Sequence, residues 1–235
     1  MYRLGSDLEY RCALIAVVML LLIGGCASKA GNKTGHGAAA ASVDADSGGA
    51  LYEAPARPAL VKVKADVGFT VTEVVLITGD GRADYRQAVS LLAQDNYERG
   101  IALLIEVTDA APDATAPFVD LGIAYARTGA FAEAESSFKR ALASTPDHPV
   151  AHNELGIVYR KQGRFAAARQ SYERALAIYA GFHYARRNLA VLCDLYLADL
   201  ACALEQYQTY RQSVADDREV DMWISDVRNR LSPAQ

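Results

Sequence analysis

Three hydrophobic patterns follow one another along the chain. The first is a run without charge, Ala13 to Ile23, eleven residues long. A membrane-spanning helix needs roughly 20 apolar residues, so this run is short for a span. Its length suits the apolar region of a secretory signal. The second pattern has period two. In "VKVKADVGFTV", residues 61–71, Val61, Val63, Ala65, Val67, Phe69 and Val71 face one way, and Lys62, Lys64, Asp66, Gly68 and Thr70 the other. That predicts a strand, and the "TEVVLIT" that follows is also β-prone. A lone strand or hairpin is not stable by itself, so the expectation is a strap packed on the first helices.

The third pattern is helical and repeats. Leu121-Gly122 recurs as Leu155-Gly156, Tyr125 as Tyr159, Gly129 as Gly163 and Phe131 as Phe165. Ala134 recurs as Ala168, Phe138 as Tyr172 and Ala141 as Ala175, each at an offset of 34 residues. A weaker copy upstream places Tyr97, Gly100, Leu104, Val107 and Pro112 in register. Another downstream keeps Leu189 and Ala190, then carries one extra residue before Ala203 and Tyr207. This pattern resembles the tetratricopeptide repeat, two antiparallel helices per unit. The unit from Thr115 matches it at Phe118, Leu121, Gly122, Tyr125, Ala134, Phe138, Ala141 and Pro146. The resemblance implies an all-α superhelix of about four repeats, at 81–114, 115–148, 149–182 and 183–217, with a cap at 218–235. In the cap, Val220, Ile224, Val227 and Leu231 make an apolar face beside Trp223. Asp216 and Glu219 are expected to form its capping box. Gly129 and Gly163 are read as left-handed helix stops.

Small residues before Cys26, in "IGGC", change the reading of the first run. They resemble a bacterial lipobox. The resemblance implies a diacylglycerol on the Cys26 thiol and cleavage after Gly25, leaving 1–25 as a signal peptide. Ala27 follows, not Asp, which by the usual sorting rule implies the outer membrane, with the chain facing the periplasm. Two or three acyl chains anchor stably where one would not. Residues 26–60 are rich in Gly, Ala, Ser, Asp and Pro and read as a flexible tether, His36 among them as a bystander. Residues 61–80 are the β-prone strap.

The net charge of −4 over 235 residues supplies no basic field, which argues against nucleic acid as a partner. Catalytic constellations, phosphate loops and cofactor motifs are missing from the sequence, so an enzyme and a bound cofactor are not expected. His148 and His152 are four apart, but Pro149 and a helix start intervene and no third ligand is evident, so no metal site is assigned. Glu133, Glu135 and Glu173 read as solvated faces. Cys193 and Cys202 fall on the two helices of the last repeat. A disulfide and a pair of buried free thiols are both open readings there.

Function is expected on the concave face, which first helices line and where peptides or protein segments bind. The groove candidates are Arg86, Asp120, Ile123, Arg127, Asn153, Ile157, Arg160, Arg187 and Asn188. Asn153 and Asn188 offer hydrogen bonds to a peptide backbone. Arg127, Arg160 and Arg187 offer forked contacts to carboxylates. The resemblance extends to lipoproteins that help a pilus secretin assemble or dock murein enzymes, which implies a scaffold for envelope proteins. A structural or homo-oligomerising subunit of a polysaccharide-export or energy-transducing complex is the alternative.

Overall fold

The computed structural model describes residues 61–64, 69–72, 77 and 79–232. The expected signal peptide, Cys26 and the tether lie outside them. Two short strands, β1 (Val61–Lys64) and β2 (Phe69–Thr72), pair antiparallel, with Val61 opposite Thr72 and Lys64 opposite Phe69. The single strand expected over 61–71 is therefore a hairpin. The period-two pattern runs on through Asp66 and Gly68, both of residue types that are poor strand formers.

Nine helices follow among the described residues. They are α1 (Gly81–Leu92), α2 (Tyr97–Ala110), α3 (Thr115–Thr128), α4 (Phe131–Ser144), α5 (Pro149–Lys161), α6 (Phe165–Ile178), α7 (His183–Leu195), α8 (Leu200–Ser213) and α9 (Arg218–Leu231). Their ends obey local chemistry. Gly129 closes α3 at φ +82°, and Gly163 follows α5 at φ +74°. Both are left-handed positions where glycine costs least. Pro149 opens α5, where its missing N–H is no loss, and the His148 ring accepts from the Ala151 N–H at 3.1 Å. Asp199 caps α8 and Asp217 caps α9, accepting from Cys202 and Val220. The cap of α9 is thus Asp217, not Asp216, and Glu219 turns to Arg187 instead of forming a capping box.

Each helix packs on the next in the chain, and α1, α3, α5 and α7 also touch in series. First helices therefore form one continuous inner layer, and second helices lie outside it. Between the layers sit Phe138, Tyr172 and Tyr207, at 0 to 1% exposure. Each buried aromatic contributes about 1.5–3 kcal/mol. Glycine admits them: a Cβ on Gly122 would lie 2.7 Å from the Phe138 ring, and one on Gly156 2.6 Å from Tyr172.

Ile77, just before α1, is buried with Val107, Ala111 and Ala114, so the chain is tied to the first repeat at that residue. At the other end α9 buries Val220, Ile224 and Val227. Leu231, counted with them from its spacing, is 41% exposed. It is the last residue of the helix. Trp223 packs on Tyr207 at 5.4 Å, as the spacing implies.

Cys193 and Cys202 are joined in a disulfide across the α7–α8 turn, with Cα atoms 5.9 Å apart. The reading of two free thiols is set aside. The two histidines serve helix ends: His148 caps α5, and the His152 Nε2 pairs with the Pro146 carbonyl at 2.8 Å.

Candidate partner-binding groove

Two hydrogen bonds cross between neighbouring first helices and mark the inner face. The Tyr85 hydroxyl on α1 donates to Asp120 on α3 at 2.6 Å. The Asn188 amide on α7 donates to Asn153 on α5 at 2.9 Å, and Asn153 in turn donates to the Glu154 carboxylate at 2.9 Å. Three or four residues along each helix from these groups stand Val89, Ile123, Ile157 and Val191, on the same face one turn later. They are 34 residues apart throughout. Val89 is exposed, and the other three are half-buried against the main core. The inner face is therefore a β-branched aliphatic row with a row of polar groups beside it.

Electrostatics along the polar row are uneven. Burial pushes the Glu154 carboxyl above its usual range. The Asn153 hydrogen bond and the Arg127 charge pull it back in part. Arg127 itself is exposed, in the last turn of α3.

The repeat arrangement can now be compared with known proteins. Residues 85–149 and 119–183 match the tetratricopeptide repeat family. Over 85–183 the helix pairs are recognised as tetratricopeptide repeats. Solved structures share the fold. MamA from Desulfovibrio magneticus RS-1 does so at TM-score 0.60 and 19% identity, over 66% of this chain and 86% of that one. PilF of Pseudomonas aeruginosa gives 0.58 and 18%, over 64% and 68%. TTC0263, a thermophilic TPR protein of Thermus thermophilus, gives 0.54 and 23%, over 63% and 81%. Identities this low show a shared fold. No curated protein sequence matches the chain.

Tetratricopeptide register places the expected groove residues unequally. Asp120 and Asn153 are buried and carry the two inter-repeat hydrogen bonds, with Asn188 half-buried beside them. Ile123 and Ile157 belong to the aliphatic row. Arg86 is exposed on α1.

The three arginines do not form one fork. The Arg160 guanidinium lies over the Tyr196 ring at 5.7 Å and donates to its hydroxyl at 3.4 Å. Arg187 pairs with Glu219 at 3.1 Å and covers Trp223 at 5.1 Å, which ties α7 to α9. Its Nε is buried with no hydrogen-bond partner among the described residues. Of the three, Arg127 acts on the groove's own carboxylate and the other two brace the fold.

Tyr85, Val89, Glu154 and Val191 complete the inner face, and the sequence reading passed them over. The signal was present. Adding 34 to Val89 leads to Ile123, Ile157 and Val191 in turn. Glu135, read as solvated, is half-buried between Lys139 and Arg164, both at 2.7 Å. Glu173 is exposed and pairs with Arg169.

Proposed function

We propose that the protein is a non-enzymatic scaffold that holds an extended peptide or protein segment against its inner face, on the outer membrane and facing the periplasm. The observation that carries this reading is the continuous aliphatic row, Val89, Ile123, Ile157 and Val191, open along α1, α3, α5 and α7. Apolar side chains of a partner would lie on that row. Glu154 and Asn188 would meet its backbone or polar groups. The lipobox-like "IGGC" supports anchoring through Cys26, and the segment to Leu60 would serve as the tether. With an anchor at one end and a groove at the other, the chain would assist assembly of a cell-envelope machine.

A photo-crosslinking residue at position 157, compared with one at Glu173 on the outer layer, tests the groove in native envelopes. Discrete crosslinked partners are expected from position 157 and not from 173. Equal crosslinking from both positions refutes the groove. Cys26→Ser tests the anchor: the protein should leave the membrane fraction and no longer incorporate labelled palmitate. Unchanged fractionation refutes lipidation.

A further inference from the structure

The α7–α8 turn differs from the turns after α3 and α5. The turns after α3 and α5 contain Gly129 and Gly163, at positive φ. The turn after α7 has no glycine, and Ala198 takes φ +53° instead. L-residues with a Cβ adopt that conformation reluctantly. Leu195 beside it is 67% exposed, while Tyr196 packs on Phe165 and Arg160. What spans it is the Cys193–Cys202 pair, and Asp199 stands between the two cysteines.

One sulfur from each cysteine and one carboxylate oxygen of Asp199 all lie within 4.8 Å of one another. We propose that, once the disulfide is reduced, Cys193, Cys202 and Asp199 bind one thiophilic divalent cation of the zinc class, with water in the fourth position. Two thiolates on a tetrahedral zinc, each at about 2.3 Å, stand roughly 3.8 Å apart. Cα atoms 5.9 Å apart on two braced helices span such a pair by side-chain rotation alone.

The carboxylate is already oriented. It accepts from the Cys202 N–H at 3.1 Å through Oδ1, and from Arg169 at 3.1 Å through Oδ2. Such outer contacts fix a ligand's direction and sharpen affinity. The Asp199 side chain is 37% exposed, which leaves a path for the ion and for the water ligand. Cys202 is the third residue of α8, where free helical N–H groups favour a thiolate. Cys193, fully buried at the end of α7, is the inner ligand.

Electrons and protons balance as follows. An external dithiol delivers two electrons and two protons to the disulfide, becoming a disulfide itself and leaving two protein thiols. The cation then displaces both thiol protons to solvent. Disulfide and metal are alternative staples of one turn, and each excludes the other.

The experiment uses the full chain in detergent, reduced or oxidised, with Co²⁺ as the spectroscopic probe and Zn²⁺ competition for affinity. The reduced chain should take up one Co²⁺ with a thiolate-to-metal charge-transfer band. The oxidised chain and Cys202→Ser should show none. Asp199→Asn should retain the band and weaken binding tenfold or more. Zn²⁺ should raise the melting temperature of the reduced chain and leave that of the oxidised chain unchanged. Absence of the band in the reduced chain overturns the site. Binding by Asp199→Asn as tight as the unaltered chain's removes the carboxylate from it.

Discussion

His148 shows how one side chain couples a helix start to pH. Its ring nitrogen caps α5 by accepting the Ala151 N–H, which requires the neutral imidazole. Burial, with a smaller push from His152, lowers its pKa from 6.5 to about 4. Between those values the unfolded chain binds a proton that the folded chain refuses, so stability falls as pH drops from 6.5 toward 4. The full loss, complete below the folded pKa, is about 3 kcal/mol for this group. Carboxylates titrate in the same range, so the comparison that isolates it is with His148→Asn. Asparagine caps as well and does not titrate there. Urea midpoints of the two proteins should diverge on going from pH 7 to pH 4.5, with the variant gaining. A difference that stays constant with pH would show that the histidine is not the group responsible.

At the scale of elements, a repeat depends on how closely its two helices approach. Glycine inside α5 ordinarily costs about 1 kcal/mol against alanine. Here a methyl at Gly156 would stand 2.6 Å from the Tyr172 ring, and Tyr172 is fully buried with no room to retreat. Overpacking of this kind costs about 1–3 kcal/mol and outweighs the helix propensity gained. Gly156→Ala should therefore lower stability in the unaltered chain. In a Tyr172→Ala background the same change should be neutral or stabilising. Chemical denaturation of the four proteins of this cycle measures the coupling, and additive effects would refute a steric origin. The same contact explains why these helices are legible in the sequence. Gly122, Gly156, Phe138 and Tyr172 recur because packing needs them at fixed places, so the pattern reports the packing. The strand over 61–71 misleads for the opposite reason: alternation records which face a residue takes and not where the chain reverses.

Over the whole molecule, legibility stops where a residue's partner lies outside the repeat period. Asp120, Ile123, Asn153, Ile157 and Asn188 share the inner face because they keep to the repeat register. Arg160 and Arg187 keep to it too, but their partners are Tyr196 in the irregular turn and Glu219 and Trp223 on the cap, and no repeat rule reveals those. The cap is consequently more than a cover. α9 buries Val220, Ile224 and Val227 against α8 and lays Trp223 on Tyr207. Arg230 reaches Asp194 on α7 at 2.7 Å, a carboxylate 6% exposed. Ending the chain after Asp216 removes all of these at once and leaves Asp194 buried without that partner. In a solenoid each repeat touches only its neighbours, so the loss should stay local. Amide exchange should accelerate in α7 and α8 while α3 to α6 keep their protection. Thermal unfolding should separate into two steps, the last repeat first. Uniform loss of protection along all helices would show that the repeats fold as one cooperative block, and unchanged protection in α7 and α8 would show that the disulfide alone suffices to hold the last repeat.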